Sequence, residues 1–313
     1  MRLIFMGTPD FAVTCLDAVI AAGHDVACVI TQPDRPKGRG NKLVAPPVKV
    51  RAEALQIAVH QPESVKDEAF LTLLQSYEPE AVVVVAYGRI LPQAVLTLPR
   101  YGCLNVHGSL LPRYRGAAPI QWTVLNGEAE AGVSIQQMDA GMDTGAILAK
   151  SALAVTDEDT TGTLFTKLAQ LGAELLVQTL ADVQAGRVTP EPQQEAQATY
   201  APMLTKADEL LDWQRPARAL HNQVRGLNPA PGAYTWCQNQ RLKIWRTQVE
   251  ANEDHAACGE IVAIDADSFV VQTGDGALRI YEVQPAGKKA MTAEAFLHGA
   301  ALKLGDMLGA HHE

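Results

Sequence analysis

The run Ala81–Tyr87, AVVVVAY, constrains the fold more than any other stretch of the chain. β-Branched residues favour an extended backbone, and successive side chains of a strand point to opposite faces. A strand apolar on both faces needs cover on both, as in the middle of a parallel sheet layered by helices. Its apolar part, Ala81–Ala86, is the longest such run. It falls well short of the roughly 20 residues that span a bilayer. The segments RLIFM (2–6), DVACVIT (25–31), CLNVH (103–107), GVSIQQM (132–138) and AILAKSALAV (146–155) read as further strands. Helical patterns lie between them, from Asp10, the expected N-cap, to about Ala22, and near 117–126 and 160–184. Strands alternating with helices predict an α/β fold with an open, mostly parallel sheet.

The pattern changes after Gly186. VTPEPQQEAQATYAP (188–202) is rich in proline and glutamine and has no period, so it reads as a linker. A helical stretch over Pro216–Leu227 follows, then short alternating runs from Ala233 to Val283 separated by turns such as TGDG (273–276). Such runs predict a small β-barrel. The length, 313 residues, suits two domains. We expect a first domain over 1–188, a linker over 189–207 and a second domain over 208–313.

Met1–Phe11 reads as a first strand and turn, with neither signal-peptide nor transit-peptide character, and a cytoplasmic protein is expected. The five cysteines, Cys15, Cys28, Cys103, Cys237 and Cys258, form no CxxC and suggest neither a zinc site nor a disulfide framework. No metal is expected. A net charge of −9 argues against general affinity for nucleic acid, but its distribution is uneven. Between Pro33 and Arg51 stand six basic residues, Arg35, Lys37, Arg39, Lys42, Lys49 and Arg51, against the single acid Asp34. On composition alone this is either a solvated loop or a site for an anionic partner.

The stretch CLNVHGSLLPRYRGAAP (103–119) carries the candidate chemistry. Ligands of open α/β sheets bind beyond the carboxyl ends of the strands, where Asn105 and His107 stand. Residues two apart on a strand share a face, so both can reach one atom. An amide donor beside an imidazole is suited to an oxyanion developing in acyl transfer. A histidine in that role takes a carboxylate partner, and MDAGMDTG (138–145) offers Asp139 and Asp143. Taken singly, each has a plainer reading: a satisfied histidine at a strand end, an aspartate in a turn. Rival constellations are missing. MGTPDF lacks the dinucleotide fingerprint, and there is neither a GxxxxGK[ST] phosphate loop nor a GxSxG elbow.

Asn105-x-His107, followed by SLLPRYRGAAPIQW and GVSIQQMDAGMDTG, resembles the folate-dependent formyltransferase family in the order and spacing of its motifs. The resemblance implies a Rossmann-like catalytic domain in which Asn105, His107 and Asp143 are catalytic. It further implies that Ser109, Leu110, Leu111 and Pro112 help to hold 10-formyltetrahydrofolate as co-substrate. MGTPDFA, TQPDRPKGRG (31–40) and VRGLNPAPGAYT (224–235) extend the likeness over essentially the whole chain, toward the branch acting on initiator methionyl-tRNA. In that branch the basic loop and a C-terminal OB-like β-barrel contact tRNA. Arg39 and then Lys42 are therefore the expected tRNA contacts. With no exposed heptad or long edge strand in evidence, a monomer is expected, and no membrane partner. Residues 209–313 hold ten Lys and Arg against thirteen Asp and Glu, so any basic face there must be local, for example from Arg215, Arg218, Arg225, Arg241, Lys243, Arg246, Lys288 and Lys289. The alternative is a formyltransferase acting on a nucleotide-linked amino sugar, which has less use for an extended basic loop. An RNA-binding module without chemistry would leave the Asn105, His107 and Asp143 set unexplained.

Overall fold

The computed structural model describes residues 1–37, 42–252 and 256–309. The chain divides into two compact units. The first comprises 1–119, 130–154 and 165–202, and the second 120–129, 155–164 and 203–309 of the described residues.

The first unit is a Rossmann-like α/β layer structure. Its elements begin with β1 (Arg2–Gly7), α1 (Asp10–Ala21), β2 (Asp25–Ile30), β3 (Arg35–Lys37), β4 (Lys42–Val44), α2 (Pro47–Ala54) and β5 (Val59–His60). They continue with α3 (Glu68–Ser76), β6 (Ala81–Val85), α4 (Gln93–Leu96), β7 (Cys103–His107) and β8 (Arg115–Gly116). They end with β9 (Glu130–Gln137), β10 (Ile147–Ala154), most of α6 (Thr161–Gln184) and β11 (Tyr200–Ala201), while α5 (Pro119–Leu125), which precedes β9 in the chain, falls almost wholly in the second unit. The seven-stranded sheet runs β10-β9-β7-β6-β1-β2-β5. The pairs from β7 through β6, β1 and β2 to β5 are parallel, while β9 is antiparallel to both β7 and β10. All five residues of β6 are buried, as the two-sided apolar run requires. One face is covered by Phe70, Leu74, Val95 and Leu96 from α3 and α4, packed with Ile4, Met6, Val82 and Val84. On α6, Leu164, Leu168, Ala173, Leu176 and Leu180 recur at helical spacing and are buried. Gly172 brings that helix close to the sheet: a Cβ there would lie 3.1 Å from Val106 and 3.3 Å from Val133. At the start of α1 it is Pro9 that occupies the N-cap, with Asp10 already in the helix, where its carboxylate complements the helix dipole.

The second unit contains α7 (Ala217–Gly226), β12 (Tyr234–Cys237), β13 (Gln240–Glu250), β14 (Ile261–Ile264), β15 (Phe269–Gln272), β16 (Ala277–Pro285), β17 (Met291–Thr292) and α8 (Ala293–Gly299). Its sheet is antiparallel in the order β12-β13-β16-β15-β14, with β17 on β16. Register shifts between Ile244 and Thr247 interrupt the long strand β13. Shifts of this kind bend a strand, and the sheet curls as a half-barrel. It encloses Ile244, Phe269, Leu278, Ile280 and Val283 together with Leu220 and Val224 of α7.

Two expectations are revised. The periodless segment 189–202 is hydrogen-bonded along the first unit, with Tyr200 and Ala201 pairing Arg115 and Gly116. The basic stretch after Thr31 is a β-hairpin, β3 against β4, whose connecting residues 38–41 lie outside the described residues. Among the described residues no helix is long and apolar enough to cross a membrane.

Candidate active site

β7 ends with Asn105 and His107 on one face, and its antiparallel neighbour β9 places Gln136 opposite Asn105 and Ser134 opposite His107. Directly opposed residues of an antiparallel pair share a face, so four polar side chains gather on one patch of a buried sheet. His107 is buried, and its Nε2 lies 2.9 Å from the carbonyl oxygen of Tyr114. A carbonyl only accepts, so Nε2 carries a hydrogen and Nδ1 is left for the site. That Nδ1 lies 3.5 Å from Asp143 Oδ1.

Asp143 belongs to the loop joining β9 to β10. The loop is shaped by Asp139, whose carboxylate accepts from the Gly141 N–H at 3.0 Å and the Thr144 hydroxyl at 2.7 Å. Asp143 itself adopts φ +55°, the left-handed region that Asp enters more readily than most residues. Its carboxylate is held there by the Gly116 N–H on Oδ2 at 2.9 Å and by Gln136 Nε2 on Oδ1 at 2.8 Å. Asn105 Nδ2 reaches the same Oδ1 at 3.5 Å. The expected trio is therefore gathered around one carboxylate oxygen.

The turn after β7 is mostly structural. The Ser109 hydroxyl donates to the Arg113 carbonyl at 2.6 Å, and the Ser109 carbonyl accepts from Ser134 Oγ at 2.7 Å. Ser134 Oγ in turn accepts from the Leu111 N–H at 3.0 Å. Ser109, Leu111 and Pro112 are buried, and only Leu110 of the four is partly exposed. Leu110 lies over Gly132, where an added Cβ would come within 2.4 Å of it.

The basic segment is less uniform than its sequence suggests. Lys49 is bound to Asp34 at 2.9 Å and Arg51 to Asp17 at 2.7 Å. Hydrogen bonds from Gln61 and Lys49 hold the Asp34 carboxyl below the usual carboxylate range. Lys42 is exposed on the hairpin, and Arg39 lies outside the described residues.

In the second unit, Arg225 does not belong to a surface group. It is buried and donates to Asn222 Oδ1, the Thr156 carbonyl and the Asp159 carbonyl at 2.9, 3.0 and 3.2 Å. Arg218 is paired with Asp157, and Arg215 donates to Gln223. Arg241, Lys243 and Arg246 form a different group on β13. Arg241 lies over the rings of Tyr234 and Trp236, Lys243 over Trp245, and Arg246 over Tyr281. The aromatic content of the chain is only 5%, yet each of these four rings stands beside a cation.

A family model described as "Formyl transferase" matches residues 1–180, and one described as "Formyl transferase, C-terminal domain" matches 203–301. The chain belongs to the formyltransferase family. A methionyl-tRNA formyltransferase of Pelotomaculum thermopropionicum is 50% identical to it over 310 residues, with 99% of each chain covered. That of Moorella thermoacetica is 50% identical over 309 residues, again covering 99% of each. Among solved structures, an N-formyltransferase from Helicobacter canadensis with folinic acid and dTDP-3-aminofucose shares the fold. It has a TM-score of 0.65 and 17% identity, covering 91% of this chain and 99% of that one. HypX from Aquifex aeolicus in complex with tetrahydrofolic acid has a TM-score of 0.65 at 17% identity, and the chain spans about half its length, 47%.

Several groups of this candidate site were not singled out in the sequence: Ser134, Gln136 and the Gly116 N–H. A signal for the first two was present in GVSIQQM. Its apolar residues Val133 and Ile135 alternate with Ser134 and Gln136 in a strand buried on both faces. Polar residues on the inward face of such a strand need partners, and here they support the site. The Gln136 Oε1 atom is buried with no hydrogen-bond partner among the described residues.

Proposed function

We propose that the protein transfers the formyl group of 10-formyltetrahydrofolate to the α-amino group of methionine esterified to initiator tRNA. The observation that carries the chemistry is the convergence of Asn105 Nδ2 and His107 Nδ1 on Asp143 Oδ1, each at 3.5 Å. The neutral amine attacks the formyl carbon and forms the new C–N bond. The carbonyl oxygen becomes an oxyanion facing the Asn105 amide and the Nδ1–H of protonated His107. Each well-placed donor of this kind contributes roughly 3–4 kcal/mol. Collapse breaks the bond from the formyl carbon to N10 of the folate, and N10 takes up the proton that the amine gives up. Asp143 orients His107, balances its charge, and relays the amine proton through water. No covalent intermediate on the enzyme is needed.

Identity of about half the residues over nearly the full chain with relatives named methionyl-tRNA formyltransferase favours tRNA over a nucleotide-linked amino sugar as acceptor. The division of labour that fits is chemistry in the first domain and tRNA binding by the basic hairpin and the second domain. Arg39 and Lys42 are the proposed contacts at the acceptor end. The cation–aromatic row of Arg241, Lys243 and Arg246 is the part of the half-barrel best suited to RNA, since such rings stack bases while the cations meet phosphates.

The test is transfer of labelled formyl from 10-formyltetrahydrofolate to initiator Met-tRNA, with elongator Met-tRNA and a nucleotide-linked amino sugar alongside. Fast transfer selective for the initiator is expected, and transfer only to the sugar would overturn the acceptor. Asn105→Ala, His107→Ala and Asp143→Ala should each lower kcat by about a hundredfold or more. Near-normal turnover removes that residue from the mechanism. Arg39→Ala should raise KM for tRNA but not for folate, an effect that shrinks as salt rises.

A further inference from the structure

The segment that sequence reads as a linker is fastened to both loops that bear the site. Glu191 and Ile147 exchange two backbone hydrogen bonds of 2.8 Å at the start of β10. Two residues on, Gln193 turns its side-chain amide inward. Its Nε2 donates to the Asp143 carbonyl at 2.7 Å and to the Gly145 carbonyl at 2.8 Å. These carbonyls belong to the 143–144 and 145–146 peptide groups, so one amide group pins the loop at two points that bracket Thr144 and Gly145. The other end of the amide is held as well. Gln193 Oε1 accepts from Arg115 Nε at 3.1 Å, which rules out the flipped orientation. Arg115 is almost wholly buried, and its Nη1 also meets both Glu195 oxygens, at 3.1 and 2.9 Å. The next residue, Gly116, donates its N–H to the Asp143 carboxylate. Ala201 of the same segment accepts from the Ala117 and Ala118 N–H groups at 2.9 and 3.1 Å, fixing the chain just beyond Gly116.

Asp143 is thus gripped from two directions, at its carboxylate through Gly116 and at its backbone through Gln193. A left-handed non-glycine residue persists only where its surroundings over-determine it. We infer that Gln193 is a positioning residue for formyl transfer. It acts through Asp143, and Arg115 holds it in register. The inference rests on the transfer reaction proposed above. A purely structural segment would lend the fold stability and leave turnover alone; a positioning residue changes kcat through the residue it positions.

The experiment compares wild-type protein with Gln193→Ala, Gln193→Glu, Asp143→Asn and the Asp143→Asn/Gln193→Ala double variant. Single-turnover rates, KM for both substrates and melting temperature are measured for each. Gln193→Glu keeps an acceptor for Arg115, and with it the attachment of the segment, while losing both donors to the loop carbonyls. Both Gln193 variants should lower the transfer rate about ten- to a hundredfold, as a displaced catalytic group does, with each KM within about twofold. In the Asp143→Asn background the loss should shrink to less than about threefold, because residues acting as one unit are not additive. A wild-type rate in Gln193→Glu, or full multiplication of the two losses, overturns the inference. Absence of transfer by the wild-type chain itself overturns the proposed function beneath it, a result that differs from both.

Discussion

Gly145→Ala tests whether the loop between β9 and β10 sets the catalytic geometry. A Cβ at Gly145 would stand 1.9 Å from the carbonyl oxygen of Gln137, with the Gln137 carbonyl carbon at 2.9 Å and Met138 Cα at 3.2 Å. Every one of these neighbours is backbone, so no side chain can rotate away. The contact must open by roughly 1 Å before the alanine fits, at a strand end already closed by the Gln137 N–H to Ala146 carbonyl bond of 2.8 Å. Asp143 is two residues away and must share the movement. A misplacement of about 1 Å at a reacting group is worth about a hundredfold in rate, close to 2.7 kcal/mol. Overpacking of this kind also destabilises by about 1–3 kcal/mol, so the variant should still fold. Gly141→Ala is the matched control. The three atoms nearest its Cβ would all be Thr144 side chain, Oγ1 at 2.0 Å with Cβ and Cγ2 at 3.1 Å. Relief costs the Thr144–Asp139 hydrogen bond and not a backbone shift at Gln137, so a loss below about tenfold is expected. Steady-state formyl transfer with both substrates, beside a melting curve, separates the effects. A folded Gly145→Ala protein with kcat within about threefold of wild type would refute the placement of catalysis at Asp143.

Two further expectations concern titration and reactivity. Burial pushes the Cys15, Cys28 and Cys103 thiols up to about 12 and Cys237 to about 11, while Cys258 is only half-buried. A thiol reagent at about pH 8 should therefore modify one cysteine, Cys258, in the native protein and all five in denaturant; fast native modification of Cys103 would contradict the buried position of β7. His221 is held below its ordinary 6.5 by burial first, then by Arg225 and Arg218, against the opposing pull of Asp157. Its protonation therefore favours the unfolded chain. The stability it lends is present above 6.5 and is lost as pH falls below 6.5 toward the lowered folded value, by at most about 1.4 kcal/mol per pH unit. The melting temperature should drop more steeply on acidification for the wild type than for His221→Gln, and equal slopes would remove His221 from the effect.

The legible parts of the fold are those whose apolar period is strong. The first five residues of AVVVVAY are β6, and the helix over 161–184 spans 24 residues with its buried leucines in phase. By contrast α2 buries only Val48 and Ala52, too few to mark a face, and sequence showed no helix there. Strand direction is invisible to periodicity. Nothing in GVSIQQM distinguishes an antiparallel neighbour from a parallel one; the short 138–146 connection, which has no room for a crossover helix, decides it. The placement of Asn105 and His107 on one face was legible because two strand positions on one face are a local geometry. Asp143 needed the family resemblance, since an aspartate before Thr-Gly is ordinary in a turn. Gln193 was hidden altogether, because the backbone carbonyls that give it meaning are some fifty residues earlier in the chain, 50 and 48 away. Arg225 was misplaced on a surface for a related reason. Its charge suggests solvent, and only the folded arrangement of Asn222, Thr156 and Asp159 supplies the acceptors that let it be buried.

The distances at the site sort its residues by what they do. Groups that hold Asp143 make short bonds: Gly116 N–H at 2.9 Å, Gln136 at 2.8 Å, and Gln193 on the backbone at 2.7 Å. Groups assigned to the reaction stand off at 3.5 Å, both Asn105 and His107. A donor already engaged at 2.8 Å must give up that bond before it can serve an oxyanion, whereas one at 3.5 Å gives up little. Catalytic hydrogen bonds that are long without substrate and tighten only as charge develops follow from the same reasoning. Gln136 and Gly116 occupy the carboxylate, so Asn105 and His107 need not. The carboxylate stays fixed while the two donors proposed to react remain available, and that separation of holding from reacting is what the buried glutamine opposite Asn105 provides.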